Sequence, residues 1–134
     1  MDIRYREDKD ISGRDLAGLF LAVGWESGRK PEALAAAMRG AHAVYSAWAG
    51  ERLVGLVHTL SDGALVASVQ SLLVHPEFQN RGIGGALLDR VLERYAHLPR
   101  VVLSAFDAQA GFYARRGFRR SLGKTPMFLE RSRS

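Results

Sequence analysis

Leu72-Leu73-Val74-His75-Pro76-Glu77-Phe78-Gln79-Asn80-Arg81-Gly82-Ile83-Gly84-Gly85 is the stretch on which the fold turns, because it reads as strand, tight loop and helix start in succession. The apolar run from Val69 to Val74, broken only by Gln70 and Ser71, stops at Pro76. Proline cannot donate to a sheet ladder and pushes the residue before it into extended geometry, so a strand ends there. Gly82, Gly84 and Gly85 come next, and then Ile83, Leu87, Val91 and Tyr95 recur at i, i+4, with Leu88 and Leu92 widening the stripe. Asp89, Arg90, Glu93 and Arg94 fall opposite, which is the pattern of an amphipathic helix.

Glycines at that junction have a chemical use. Without Cβ atoms, the N–H groups of Arg81 to Gly85 can approach a ligand closely and point at it together, and the helix N-terminus adds partial positive charge. Such a turn suits a pyrophosphate, to which Gln79 and Arg81 can add side-chain donors. The pattern Gln79-x-x-Gly82-x-Gly84 is short, and a left-handed glycine turn joining a strand to a helix is the alternative account of it. What favours the ligand is a second element downstream, Gly111-Phe112-Tyr113-Ala114-Arg115-Arg116-Gly117-Phe118.

Together, Leu72 to Gly84 and Phe112-Tyr113-x-x-x-Gly117-Phe118 resemble the two motifs of the GNAT superfamily of N-acyltransferases, over nearly the whole chain. The resemblance implies an α/β (α+β) fold: a mixed, largely antiparallel central sheet flanked by helices, with splayed central strands forming an acyl-CoA cleft. It implies acetyl-CoA as co-substrate and no metal. It assigns pantetheine pairing to the backbone of Leu72, Leu73 and Val74, and the CoA pyrophosphate to Gln79, Asn80, Arg81, Gly82, Ile83, Gly84 and Gly85. Tyr113 takes the role of general acid toward the departing thiolate, a role open to a tyrosine only within hydrogen-bond reach of the sulfur. The reaction implied is transfer of an acetyl group to the primary amine of a small molecule.

The 134 residues, 47% hydrophobic and 25% charged, bound the chain to one soluble domain spanning 1–134. No apolar run approaches the ~20 residues of a membrane span, and Met1-Asp2-Ile3-Arg4-Tyr5 lacks the apolar segment of a leader, so the expectation is a cytoplasmic protein without a membrane partner. The absence of cysteine excludes a thiol nucleophile and leaves direct attack of the acceptor on the thioester. The net charge of +5 raises nucleic acid as a partner. Arg115, Arg116, Arg119, Arg120, Arg131 and Arg133 account for much of it, without interleaved aromatics or a helix-turn-helix pattern, so no nucleic-acid partner is expected. A homodimer is left open.

In chain order, Ile3 to Tyr5 reads as a first strand, and Asp10 or Ser12 caps a helix bearing Leu16, Leu19, Phe20 and Val23 that ends at Gly24. Pro31 opens a second helix that closes near Gly40. The family places part of its acceptor pocket between these helices, where Trp25 is either a pocket wall or a core plug. Val44 to Ala49, Leu53 to Leu60 and Leu65 to Val74 form a meander, Arg100 to Ser104 a fifth strand parallel to the Leu72 strand, Gln109 to Arg116 a short helix, and Thr125 to Glu130 a last strand.

The chain departs from the family in two places. The acidic base often found on the strand entering the phosphate loop is absent from Ala64 to Val74, whose polar groups are Ser68, Gln70 and Ser71, and the nearest carboxylates are Asp62 and Glu77. The asparagine often found before the tyrosine is replaced by Phe106-Asp107-Ala108-Gln109. An alkylamine of pKa near 10.4 is almost wholly protonated at neutral pH, a deficit of roughly 4–5 kcal/mol, so something must take that proton. Water held by Ser71 and Gln70, His58 or His75 are the alternatives, or an acceptor amine of low pKa. A protein-lysine acetyltransferase and a CoA-binding module without turnover are the competing functions.

Overall fold

A computed structural model describes residues 2–131. Helix α1 (Gly13–Ala22) starts where the Ser12 hydroxyl accepts the Asp15 N–H at 3.1 Å. Its end is set by Gly24 in the left-handed region (φ 81°), with Gly24 N–H donating to Leu21 C=O and Trp25 N–H to Phe20 C=O. That pairing is a Schellman motif, and it fixes where Trp25 leaves the helix. Helix α2 (Pro31–Gly40) begins on Pro31, whose missing N–H costs nothing at that position.

The sheet runs in the order β1 (Ile3–Glu7), β2 (Ala43–Ala49), β3 (Arg52–Ser61), β4 (Val66–Val74) and β5 (Arg100–Val102). The first four are antiparallel neighbours, and β5 lies parallel to β4 after the crossover through helix α3 (Ile83–Arg94). Each face of the sheet has its own core. Helix α3 sends Ile83, Leu87, Leu88 and Val91 onto Ala43, Tyr45, Ala47, Val57, Ala67 and Val69. Helices α1 and α2 send Leu16, Leu19, Phe20, Leu34 and Met38 onto Val44, Trp48, Leu53, Leu56 and Leu73.

Position 55 is where α3 comes nearest to the sheet. A Cβ on Gly55 would lie 3.0 Å from Ile83 Cγ2, 3.1 Å from Leu87 Cδ1 and 3.3 Å from Ala47 Cβ. Gly55→Ala is therefore expected to destabilise the fold by about 1–3 kcal/mol through overpacking, read as a lower urea midpoint at unchanged slope.

Strand β4 is interrupted by an irregularity at Gln70. His58 pairs with Ser71 and Thr59 with Val69, so Gln70 is an extra residue opposite no partner, a β-bulge. It reverses the alternation: Ala67 and Val69 face α3 before the bulge, and Leu72 and Val74 pack against that core after it, with Leu73 in the opposite one. By the same alternation Ser71 shares the α1/α2 face with Leu73.

Strand β5 runs parallel to β4, as expected, and pairs with it at Val66, Ala67 and Ser68, so the two strands part where the bulge begins. The short helix expected over Gln109 to Arg116 is present as α4 (Ala110–Ala114), preceded by a 3-10 turn at Asp107–Gln109 and followed by Gly117 at φ 94°. One expectation needs correction: Thr125 to Glu130 forms no strand among the described residues, and its apolar run Met127 to Leu129 meets no edge of the sheet.

Candidate active site

Beyond Ser68, the edge of β4 that faced β5 has no strand partner among the described residues, which leaves the Leu72, Leu73 and Val74 backbone at an open cleft. His75 N–H still bonds to Val54 C=O at 2.8 Å, so the chain stays tied to the sheet until Pro76 turns it. A 3-10 turn at Pro76–Phe78 buries Phe78, and Asn80 and Gly82 both adopt left-handed conformations, at φ 64° and 81°. Asn80 is the non-glycine residue that tolerates this best. Gly82 is the N-cap of α3 and supplies no side-chain acceptor, so the first N–H groups of the helix are left without a side-chain cap.

The loop meets α4 across the cleft. A Cβ at Gly84 would sit 3.7 Å from both Val74 Cγ2 and Phe112 Cζ, which sets the three residues around one narrow throat. At Gly85 a Cβ would run into the Arg116 guanidinium, which is itself held by Asp89 at 3.0 Å and lies over the Phe112 ring. Gln79 turns its amide to Val74 C=O at 3.1 Å, and Arg81 lies over the Phe78 ring, 5.1 Å from its centroid. The open strand edge, uncapped helix N-terminus and glycine throat fit an extended thioester ligand with a diphosphate.

Tyr113 packs edge-on between Phe112 at 5.0 Å and Phe118 at 5.8 Å, half-buried, and its hydroxyl has no hydrogen bond among the described residues. Burial pushes its phenol above the ordinary tyrosine value, so the group is a neutral O–H donor at physiological pH.

The candidate proton acceptors separate clearly. Asp62 takes N–H bonds from Leu65 at 2.8 Å, Ala64 at 2.9 Å and Val66 at 3.2 Å, which hold its carboxyl below the usual range and staple the β3–β4 turn. Glu77 lies 3.4 Å from Arg52. His75 has Glu77 N–H on Nδ1 and the Arg52 guanidinium 2.9 Å from Nε2, so both ring nitrogens are engaged. Gln70 lies against Ser68, with Nε2 donating to Oγ at 2.6 Å.

His58 is different. It pairs across the ladder with Ser71, and its Nδ1 is buried without a partner among the described residues. Burial pushes the imidazole down from 6.5 to about 4. The unfolded chain therefore binds a proton that the native one refuses between those values, so stability is full above pH 6.5 and falls as pH drops toward 4. His58→Leu is expected to flatten the stability curve in that window by about 3 kcal/mol, measured as the pH dependence of urea unfolding for variant and parent.

Trp25 meets Phe20 edge-on at 5.7 Å and Phe106 at 6.5 Å, so it belongs to the core and also reaches the β5–α4 loop. Phe106 is 69% exposed. It is not among the residues that the motifs single out, and its only signal in the sequence is an aromatic in a polar loop.

The acetyltransferase (GNAT) domain family matches residues 16–128, and the chain belongs to it. A structure from Deinococcus radiodurans R1, assigned as an acetyltransferase, is 32% identical, covers 97% of this chain and 89% of its own, and superposes with a TM-score of 0.84. The N-acetyltransferase ycf52 of Pyropia yezoensis, itself uncharacterized, is 27% identical over 123 residues, or 87% of this chain and 70% of that one. The histone acetyltransferase TAP1 of Glycine max is 29% identical, over 81% of this chain and 52% of its own length. The protein is an acyltransferase of a family that uses acetyl-CoA.

Proposed function

We propose that this chain moves the acetyl group of acetyl-CoA to the primary amine of a small molecule by direct attack, with Tyr113 as the proton donor to the leaving thiolate. The observation that carries the reading is the unpartnered, neutral Tyr113 hydroxyl on the helix whose Phe112 lines the Gly84 throat. The β4 edge at Leu72, Leu73 and Val74, which no strand pairs among the described residues, faces the amides of pantetheine, with Gln79 giving up its bond to Val74 C=O where the ligand needs that carbonyl, and the N–H groups from Arg81 to Gly85, with the α3 N-terminus, receive the pyrophosphate. Acetyl-CoA supplies an activated thioester. As the amine nitrogen bonds to the carbonyl carbon and the C–S bond breaks, Tyr113 gives its proton to sulfur, and the proton lost by nitrogen leaves through water held by Ser71 and Gln70.

His75 is set aside as the base because its nitrogens are taken, and His58 because burial makes it a weak one. A protein lysine is the second reading, favoured by the exposed Phe106 ring beside Trp25 and by the likeness to a histone acetyltransferase. A panel of small amines and lysine peptides, followed by thiol release from acetyl-CoA, tests both. Turnover with small amines supports the first reading, and turnover confined to peptides replaces it with the second.

A further inference from the structure

Among the described residues around the cleft, the groups able to take a proton from an incoming amine are committed elsewhere, Asp107 apart. On β3, the Asp62 carboxylate is taken up by three N–H bonds of the β3–β4 turn, and the His58 ring is buried. On the loop, Glu77 and His75 share the Arg52 guanidinium, at 3.4 and 2.9 Å. Between α1 and α2, Glu26 lies 3.4 Å from Arg29, and on α3 Asp89 lies 3.0 Å from Arg116. Arg81 and Arg115 have no lone pair to offer, and Tyr113 enters as a proton donor. Strand β4 itself contributes Ser68, Gln70 and Ser71, none of them a base. Asp107 is exposed in the 3-10 turn before α4, and a carboxylate in water is poorly matched to a proton held by an alkylammonium.

That arrangement constrains the acceptor. An amine attacks with its lone pair, which an ammonium lacks. At neutral pH an alkylamine, with a pKa near 10.4, presents the lone pair in about one molecule in 10³, whereas an α-amine beside an amide carbonyl, near 8, presents it in about one in ten. A protein base poised near neutral pH recovers the alkylamine's deficit. The tuning here runs the other way: burial weakens His58 as a base, and the N–H bonds of the turn weaken Asp62.

We propose that the acceptor is an α-amine beside an amide carbonyl, bound as the neutral base, so that solvent and not the protein removes the ammonium proton before binding. This rests on the acetyl-transfer reading above. The nitrogen lone pair bonds to the thioester carbonyl carbon, the C–S bond breaks, and Tyr113 gives its proton to sulfur. The proton shed by the new amide passes to water and restores the Tyr113 hydroxyl, so the cycle closes on an amide and a free thiol. A lysine ε-amine carries the alkylamine's deficit and is disfavoured by the same arithmetic.

The pH dependence of kcat/KM for leucinamide and for 3-methylbutylamine, followed by thiol release, tests this. The two acceptors share one carbon skeleton and differ by the carboxamide that lowers the amine's pKa. The logarithm of kcat/KM is expected to rise by about one per pH unit for both, levelling near pH ~8 with leucinamide and still climbing at about pH 9.5 with 3-methylbutylamine. At neutral pH leucinamide should be the better acceptor by roughly tenfold or more, the ~10²-fold gain in neutral amine being partly offset by its weaker nucleophilicity. A leucine-initiated hexapeptide run alongside separates an amino-acid amide from a peptide N-terminus as the source of the amine, by which of the two turns over faster. An inflection at one fixed pH with both acceptors reports a protein base and overturns the proposal while acetyl transfer stands; its loss in Asp107→Asn would name that base. Equal or faster turnover of 3-methylbutylamine at neutral pH overturns it too. Turnover of no amine, with acetyl-CoA still raising the melting temperature, removes acetyl transfer itself and the proposal with it.

Discussion

Tyr113→Phe is expected to lower kcat by ~10²-fold while leaving the KM for acetyl-CoA and the melting temperature near those of the parent. The separation comes from the geometry. The ring does the packing, between Phe112 and Phe118, and Phe keeps it. The hydroxyl has no partner among the described residues, so its removal strands no buried donor or acceptor. A tyrosine that only filled the core would behave otherwise, with stability and activity falling together. A kcat equal to the parent's in the folded variant would take Tyr113 out of the mechanism. Steady-state kinetics with the best amine of the panel, alongside thermal melts, decides.

Gly82→Val and Gly84→Val are expected to weaken CoA binding tenfold or more, about 1.4 kcal/mol, for two different reasons. At Gly82 a Cβ has open space around it, but φ is 81°, a conformation that a β-branched residue resists. The turn must shift, and the N–H groups after it lose their common aim. At Gly84 the backbone is unstrained, and the valine instead fills the space between Val74 and Phe112. Titration calorimetry with CoA measures both. Normal affinity in two folded variants would reduce these glycines to turn formers.

The loop and α3 were legible because they are local: glycines, a proline and a 3.6-residue stripe lie within one stretch of chain. The stop at Gly24 and Pro31 at a helix start were legible for the same reason, and the cap was narrowed to Asp10 or Ser12, of which the fold uses Ser12. Long-range features were not. Gln70 reads as one more polar residue in a strand, and only the register against β3 shows it to be the bulge that turns Leu72 and Val74 toward α3. The parallel pairing of the fifth strand was readable, but its offset to Val66–Ser68, which opens the cleft, was not. Thr125 to Glu130 has a strand's pattern, yet a pattern names no partner, and among the described residues none is supplied. His58 and His75 look alike in sequence; what separates them is a guanidinium 2.9 Å from one and a buried, partnerless nitrogen on the other.

The most direct test of the acyl-CoA cleft needs no acceptor. A ligand that binds only the folded chain stabilises it by RT ln(1 + [L]/Kd), about 2.7 kcal/mol at a hundredfold excess over Kd, worth several degrees for a chain of 134 residues. The melting temperature is therefore expected to climb steadily with the logarithm of acetyl-CoA concentration, and Gly82→Val should displace that climb to concentrations tenfold higher or more. A melting temperature that stays fixed up to millimolar acetyl-CoA would contradict the account.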